Sequence, residues 1–149
     1  MINEVYSTKL LALAGNIPRN GRLEDPDSTA TAQAKLCGSK LTVDIKLDSG
    51  GRVSDYAHEV KACALGQAAA SAVAAQIVGA SRDEIEQAHA QMTRMLKEGA
   101  GAPKGRFADL QYLEPVKDYP ARHASTMLVL NALLEAYAKL DIEPLPRGD

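Results

Sequence analysis

Two side chains in this 149-residue sequence carry soft nucleophilic or metal-binding chemistry: Cys37 and Cys63, its only cysteines. Cys37 sits in Lys35-Leu36-Cys37-Gly38-Ser39, between two stretches that read as strands. Cys63 opens the small-residue run Cys63-Ala64-Leu65-Gly66-Gln67-Ala68, which reads as the first turn of a helix. A sulfur in a first turn faces unpaired backbone N–H groups and the positive end of the helix dipole, which favours its thiolate. Such a thiolate can attack, accept sulfur or bind metal, whereas a free cysteine elsewhere is often just a small buried hydrophobe. Arg122, His123 and Ser125 open the last predicted helix and would add a guanidinium, an imidazole and a hydroxyl if that helix starts at the same end of the fold. His58 and His89 read as structural or solvated, and Asp44, Asp55 and Glu59 as the solvated faces of strands.

The elements that must position these residues follow from hydrophobic period and punctuation. Asn3 to Ala14 has near-helical apolar spacing and stops at Gly15-Asn16, and Ile17 to Asp27 is loop composition. Leu41, Val43, Ile45 and Leu47 alternate with polar residues, the period of a half-buried strand, with those four predicted to face the helices. Ser49-Gly50-Gly51 turns the chain into a second strand, Arg52 to Ala62, and Ser28 to Leu36 is a predicted third. The rest reads as helix: Cys63 to Val78, then a segment to Glu98 opened by the capping box Ser81-Arg82-Asp83-Glu84. A loop from Gly99 to Gly105, a short helix over Phe107 to Leu113 and a long one over His123 to Leu140 complete it. The predicted fold is α+β: a small antiparallel three-stranded sheet with helices packed mainly on one face. One domain is expected over residues 1–142, and residues 143–149, with two prolines, are expected to form a disordered tail.

Composition narrows the class. The formal net charge is −2 and the basic residues are scattered, so there is no electrostatic footprint for nucleic acid. No segment has the length of a membrane span, and the start lacks signal-peptide character, so a cytoplasmic location and free thiols rather than a disulfide are expected. A thiol enzyme with Cys63 as nucleophile and His123 as base would need the two within hydrogen-bond reach and an oxyanion hole, and an enzyme is not the expectation.

Four segments, Asn16-Ile17-Pro18-Arg19-Asn20-Gly21, Cys37-Gly38, the Cys63 helix start and Tyr119-Pro120-Ala121-Arg122, together resemble the U-type iron–sulfur cluster scaffolds, the IscU/SufU/NifU N-terminal-domain family. The stretch from Ala80 to Lys117 is similar to an insertion of the SufU branch. The resemblance implies an iron–sulfur cluster or zinc held by three cysteines and an aspartate, sulfur received from a cysteine desulfurase, and cluster passed to downstream acceptors. Cys37 and Cys63 match two of those cysteines. Ser39 stands where the family has the aspartate, and an ungapped match from Pro120 to Leu133 puts Ser125 in the third cysteine's place. A shift of one or two residues would nominate Ala124 or His123 instead. Neutral hydroxyls are poor ligands for zinc or iron–sulfur clusters, so the expected metal set is Cys37, Cys63 and His123, with Ser39, Arg122 and Ser125 auxiliary. A second expectation is a scaffold relative that has lost cluster assembly and acts by binding a partner.

Overall fold

The computed structural model describes residues 7–35 and 38–142. Helix α1, Thr8–Gly15, is capped by Ser7, whose hydroxyl accepts from the Leu10 N–H at 3.1 Å. Three antiparallel strands follow in the order β1 (Ser28–Ala34), β2 (Ser39–Leu47), β3 (Val53–Lys61). Leu41, Val43 and Ile45 are buried and Leu47 is partly so, all on the face that meets the helices. Each fully buried side chain of this kind contributes about 1.5–3 kcal/mol, which fixes the register, since a one-residue slip would expose the whole set. The β2–β3 turn is set by Asp48, whose side chain accepts from the N–H groups of Gly50 and Arg52, with Gly51 at φ +83°.

Helix α2, Ala64–Ala74, is shorter than the sequence pattern suggests. Residues beyond it bond to a strand instead of continuing the helix: Gly79 N–H donates to the Val53 carbonyl and Val53 N–H to that of Ala80. The Arg106 guanidinium then takes up the carbonyls of Gln76, Val78 and Gly79. Helix α3, Arg82–Glu98, carries the predicted capping box in full and ends at Gly99, in the left-handed region at φ +70°. The short helix expected around Phe107 is a longer 3-10 segment, Gly105–Asp118, kinked at Phe107 and containing Pro115. A second 3-10 turn, Pro120–Arg122, leads into α4, His123–Ile142, which packs across β1 and β2 and against α2 and α3. One continuous core of Leu, Val, Ile, Ala and Met joins the sheet to these helices. The part of the first predicted helix before Ser7 and the predicted tail, residues 143–149, lie outside the described residues.

Candidate thiol and metal site

The sheet brings two chain segments to one end. Lys40, next to the start of β2, pairs with Lys61, the last residue of β3. Ser39 and Cys63 therefore leave the sheet from the same end, on neighbouring strands. Ser39 is buried at the start of β2, opposite Ala34. Gly38 N–H donates to the Ala34 carbonyl at 2.9 Å with φ at +73°, a conformation that favours glycine. Cys37 itself lies outside the described residues.

Cys63 is a free thiol, half-buried, at the N-cap of α2 with extended backbone. The sequence pattern placed it inside the first turn; it stands one residue earlier, where a side chain faces the helix's unpaired N–H groups. Its sulfur closes no capping hydrogen bond of ordinary geometry, but it lies 3.5 Å from the Ser125 hydroxyl. Ser125, in the first turn of α4, is 1% exposed, and its hydroxyl also donates to the Arg122 carbonyl at 3.1 Å. What lets α2 come this close is Gly66. A Cβ there would sit 3.1 Å from the Ser125 carbonyl oxygen and 2.8 Å from the Ala62 Cβ.

The electrostatics of the sulfur follow from these neighbours. Partial burial pushes the thiol up, but the Ser125 hydroxyl, the Gly66 and Leu65 N–H groups and the Arg122 guanidinium outweigh it. The net effect holds Cys63 below the ordinary cysteine value, as the helix-start reading anticipates. Arg122 is exposed, so it acts on the sulfur as a nearby charge rather than as a buried partner.

His123 is placed differently. Its Nε2–H donates to the carbonyls of Val116 and Lys117, at 3.0 and 3.2 Å, and its ring lines a cavity with Thr93, Leu96 and Met127. Two residues along a helix turn the direction by about 200°, so His123 and Ser125 project to opposite sides of α4. With Ser125 toward Cys63, His123 faces α3 and the 3-10 segment. The structure thus brings Cys63, Ser125 and Arg122 together and directs His123 elsewhere. Among the described residues, no group of three or more His, Cys, Asp and Glu is arranged to hold a metal ion.

One polar residue departs from its sequence reading. Asp44 is not solvated: it is 0% exposed, gripped by Arg22 through Nε at 2.7 Å and Nη2 at 3.1 Å, by the Leu23 N–H and by the Thr29 hydroxyl. Burial pushes its carboxyl up, yet those donors outweigh it and hold it below the usual carboxylate value. Asp55 and Glu59 are solvated as expected. His58 is structural and fully buried: its Nε2–H donates to the Pro18 carbonyl at 2.9 Å and Nδ1 accepts from the Tyr56 hydroxyl at 3.0 Å. Its backbone also pairs with Arg19 and Gly21, so the Ile17–Gly21 segment is fastened along the free edge of β3. His89 donates to the Asn131 side chain.

Comparison with known proteins gives this architecture its place. The family model for the NifU-like N-terminal domain matches residues 5–126. The N-terminal part of a NifU-like protein from Brucella abortus is 49% identical, with a TM-score of 0.92 over 95% of this chain and 98% of that one. The iron–sulfur cluster assembly scaffold protein IscU of Thermotoga maritima is 27% identical over 91% of this chain and 94% of its own. A candidate scaffold protein for the SUF system from Fervidobacterium islandicum AW-1 shares the fold, with a TM-score of 0.80 at 22% identity over 89% of this chain and 96% of that one. The chain with its thiol at the start of α2 is a member of the NifU-like N-terminal domain family.

Proposed function

We propose that this protein is an iron–sulfur cluster assembly scaffold that accepts sulfur from a cysteine desulfurase, binds iron, and holds a cluster in transit to acceptor proteins. Family membership and the likeness to the Thermotoga maritima scaffold support this reading. The observation that carries it is Cys63 itself: a half-buried thiol at a helix start, with Arg122 and the Ser125 hydroxyl favouring its anionic form. Cys63 is the sulfur acceptor and one ligand, and Cys37 is proposed as the second. Zinc is an alternative occupant of the same donors, and the place of action is proposed to be the cytoplasm. His123 makes a poor third ligand, because its ring faces α3 and the 3-10 segment, on the other side of α4 from Ser125 and Cys63. The same orientation deprives Cys63 of an adjacent base, which argues against a thiol enzyme. No helix among the described residues is long and apolar enough to cross a membrane.

A second reading has its own support. Ser125 and Ser39 are neutral where the family carries a thiolate and a carboxylate, which favours a scaffold relative that binds partners without building clusters. Metal analysis with an anaerobic ultraviolet–visible spectrum separates the two. The scaffold reading expects metal or sulfide-to-iron absorbance in freshly purified wild type and its loss in Cys63→Ala. Equal, empty spectra in both proteins after anaerobic reconstitution favour the partner-binding reading.

A further inference from the structure

The Ser125 hydroxyl stands between two acceptors. Its oxygen lies 3.1 Å from the Arg122 carbonyl and 3.5 Å from the Cys63 sulfur, and packing leaves it 1% exposed. A hydroxyl carries one hydrogen and two lone pairs, so it cannot donate to both neighbours at once. In one arrangement the Cys63 S–H donates to Ser125 Oγ and Ser125 O–H to the Arg122 carbonyl; in the other Ser125 O–H turns to a lone pair of the sulfur. Only a hydrogen rotates, because the oxygen is held by the contact of α2 with α4 at Gly66.

We propose that Ser125 is a positioning residue for sulfur loading: its hydroxyl swings from the Arg122 carbonyl to the Cys63 sulfur, aims that sulfur at an incoming persulfide and holds the product. The proposal rests on the sulfur-accepting reading of Cys63. In the step itself, the Cys63 thiolate attacks the terminal sulfur of a donor R–S–S–H. The Cys63 S–S bond forms as the donor's S–S bond breaks, its electron pair leaves with R–S⁻, and the hydrogen stays on the transferred sulfur. Atoms and charge balance, and no further oxidant or reductant enters. Ser125 therefore does not replace the family's third cysteine as a ligand; it serves Cys63.

Thr126 provides an internal control. Its hydroxyl makes the same kind of bond back to the His123 carbonyl, at 2.8 Å, but the roughly 100° step of the helix turns it away from Ser125's direction. The test mixes the reduced full chain anaerobically with cysteine persulfide over a range of concentrations and follows the gain of one sulfur on the Cys63 peptide by mass spectrometry. Ser125→Ala is expected to lower the limiting loading rate about tenfold, the loss of one hydrogen bond to a charged atom, with the half-saturating donor concentration unchanged. Ser125→Thr, which keeps the hydroxyl, and Thr126→Val, which lacks only the control one, are expected to load at the wild-type rate. Wild-type loading by Ser125→Ala overturns the proposal, as does equal slowing by Thr126→Val or slow loading by a Ser125→Thr protein that melts like wild type. No sulfur on wild-type Cys63 overturns the sulfur-accepting reading and this proposal with it, whereas normal loading that ignores Ser125 overturns this proposal alone.

Discussion

Cys63 draws its character from residues distant in sequence, and under the proposed function the two serines matched to the family's ligand places set how well it keeps a metal. A dication gains more from a carboxylate and a thiolate than from two neutral hydroxyls. Ser39→Asp with Ser125→Cys is therefore expected to raise bound zinc, or iron–sulfur absorbance after reconstitution, above wild type; metal analysis of the folded double variant checks it, and unchanged content would mean that these are not ligand positions. The place of Cys63 at a helix start was legible because a cysteine followed by a run of small residues marks such a start in one short segment. The fate of His123 was not. Which side of α4 it faces depends on how the 3-10 segment hands the chain to the helix, and its carbonyl partners, Val116 and Lys117, lie in that segment. Ser125, legible only as a hydroxyl at the start of the last helix and as a family match, lies 3.5 Å from the sulfur, a distance no local pattern reveals.

At the scale of elements, the contact of α2 with α4 and the fastening of the loop before β1 hold the site in shape. Gly66 makes the first possible, and Gly66→Ala is expected to cost about 1–3 kcal/mol as the added methyl pushes on the Ser125 carbonyl and Ala62. Denaturant unfolding measures that cost, and a variant as stable as wild type would show that the two helices separate freely. Asp44 secures the second by tying Arg22, Leu23 and Thr29 to β2. Asp44→Asn, which loses the charge and turns a donor toward these donors, is expected to destabilise by about 1–3 kcal/mol in the same assay. The alternation of Leu41, Val43 and Ile45 revealed strand β2 from local sequence alone. The same alternation misplaced Asp44, because it identifies the outer face of the sheet but not the loop that covers that face. Gly66 passed unnoticed for a similar reason: a glycine in a first turn shows no period, and its cause is a helix that begins far along the chain.

For the molecule as a whole, the antiparallel sheet with helices on one face was legible in the strand period, the hairpin turn and the Ser81 capping box, each a short-range signal. What lay beyond reach were the joins made by buried polar groups, such as His58 holding Pro18. Burial pushes the His58 imidazole below its ordinary value of 6.5, against the pull of the Pro18 carbonyl. The unfolded chain then binds the extra proton more readily than the folded one, so stability is full above pH 6.5 and falls as the pH drops from there toward the lower folded value. Asp44, whose folded value is also lowered, adds a loss of the same sign in the more acidic carboxylate range. Melting temperatures between pH 7 and pH 5.5 should fall for wild type and change less in His58→Gln; parallel curves would exclude the histidine as the cause. The central claim, that this chain holds a cluster in transit through Cys63, is tested most directly by transfer. Wild type and Cys63→Ala are supplied anaerobically with ferrous iron, cysteine and a cysteine desulfurase, then mixed with a cluster-free ferredoxin whose activity is followed in time. Wild type is expected to activate the ferredoxin faster than the same reagents without it, and Cys63→Ala is not; equal rates in all three mixtures would refute a cluster held through Cys63.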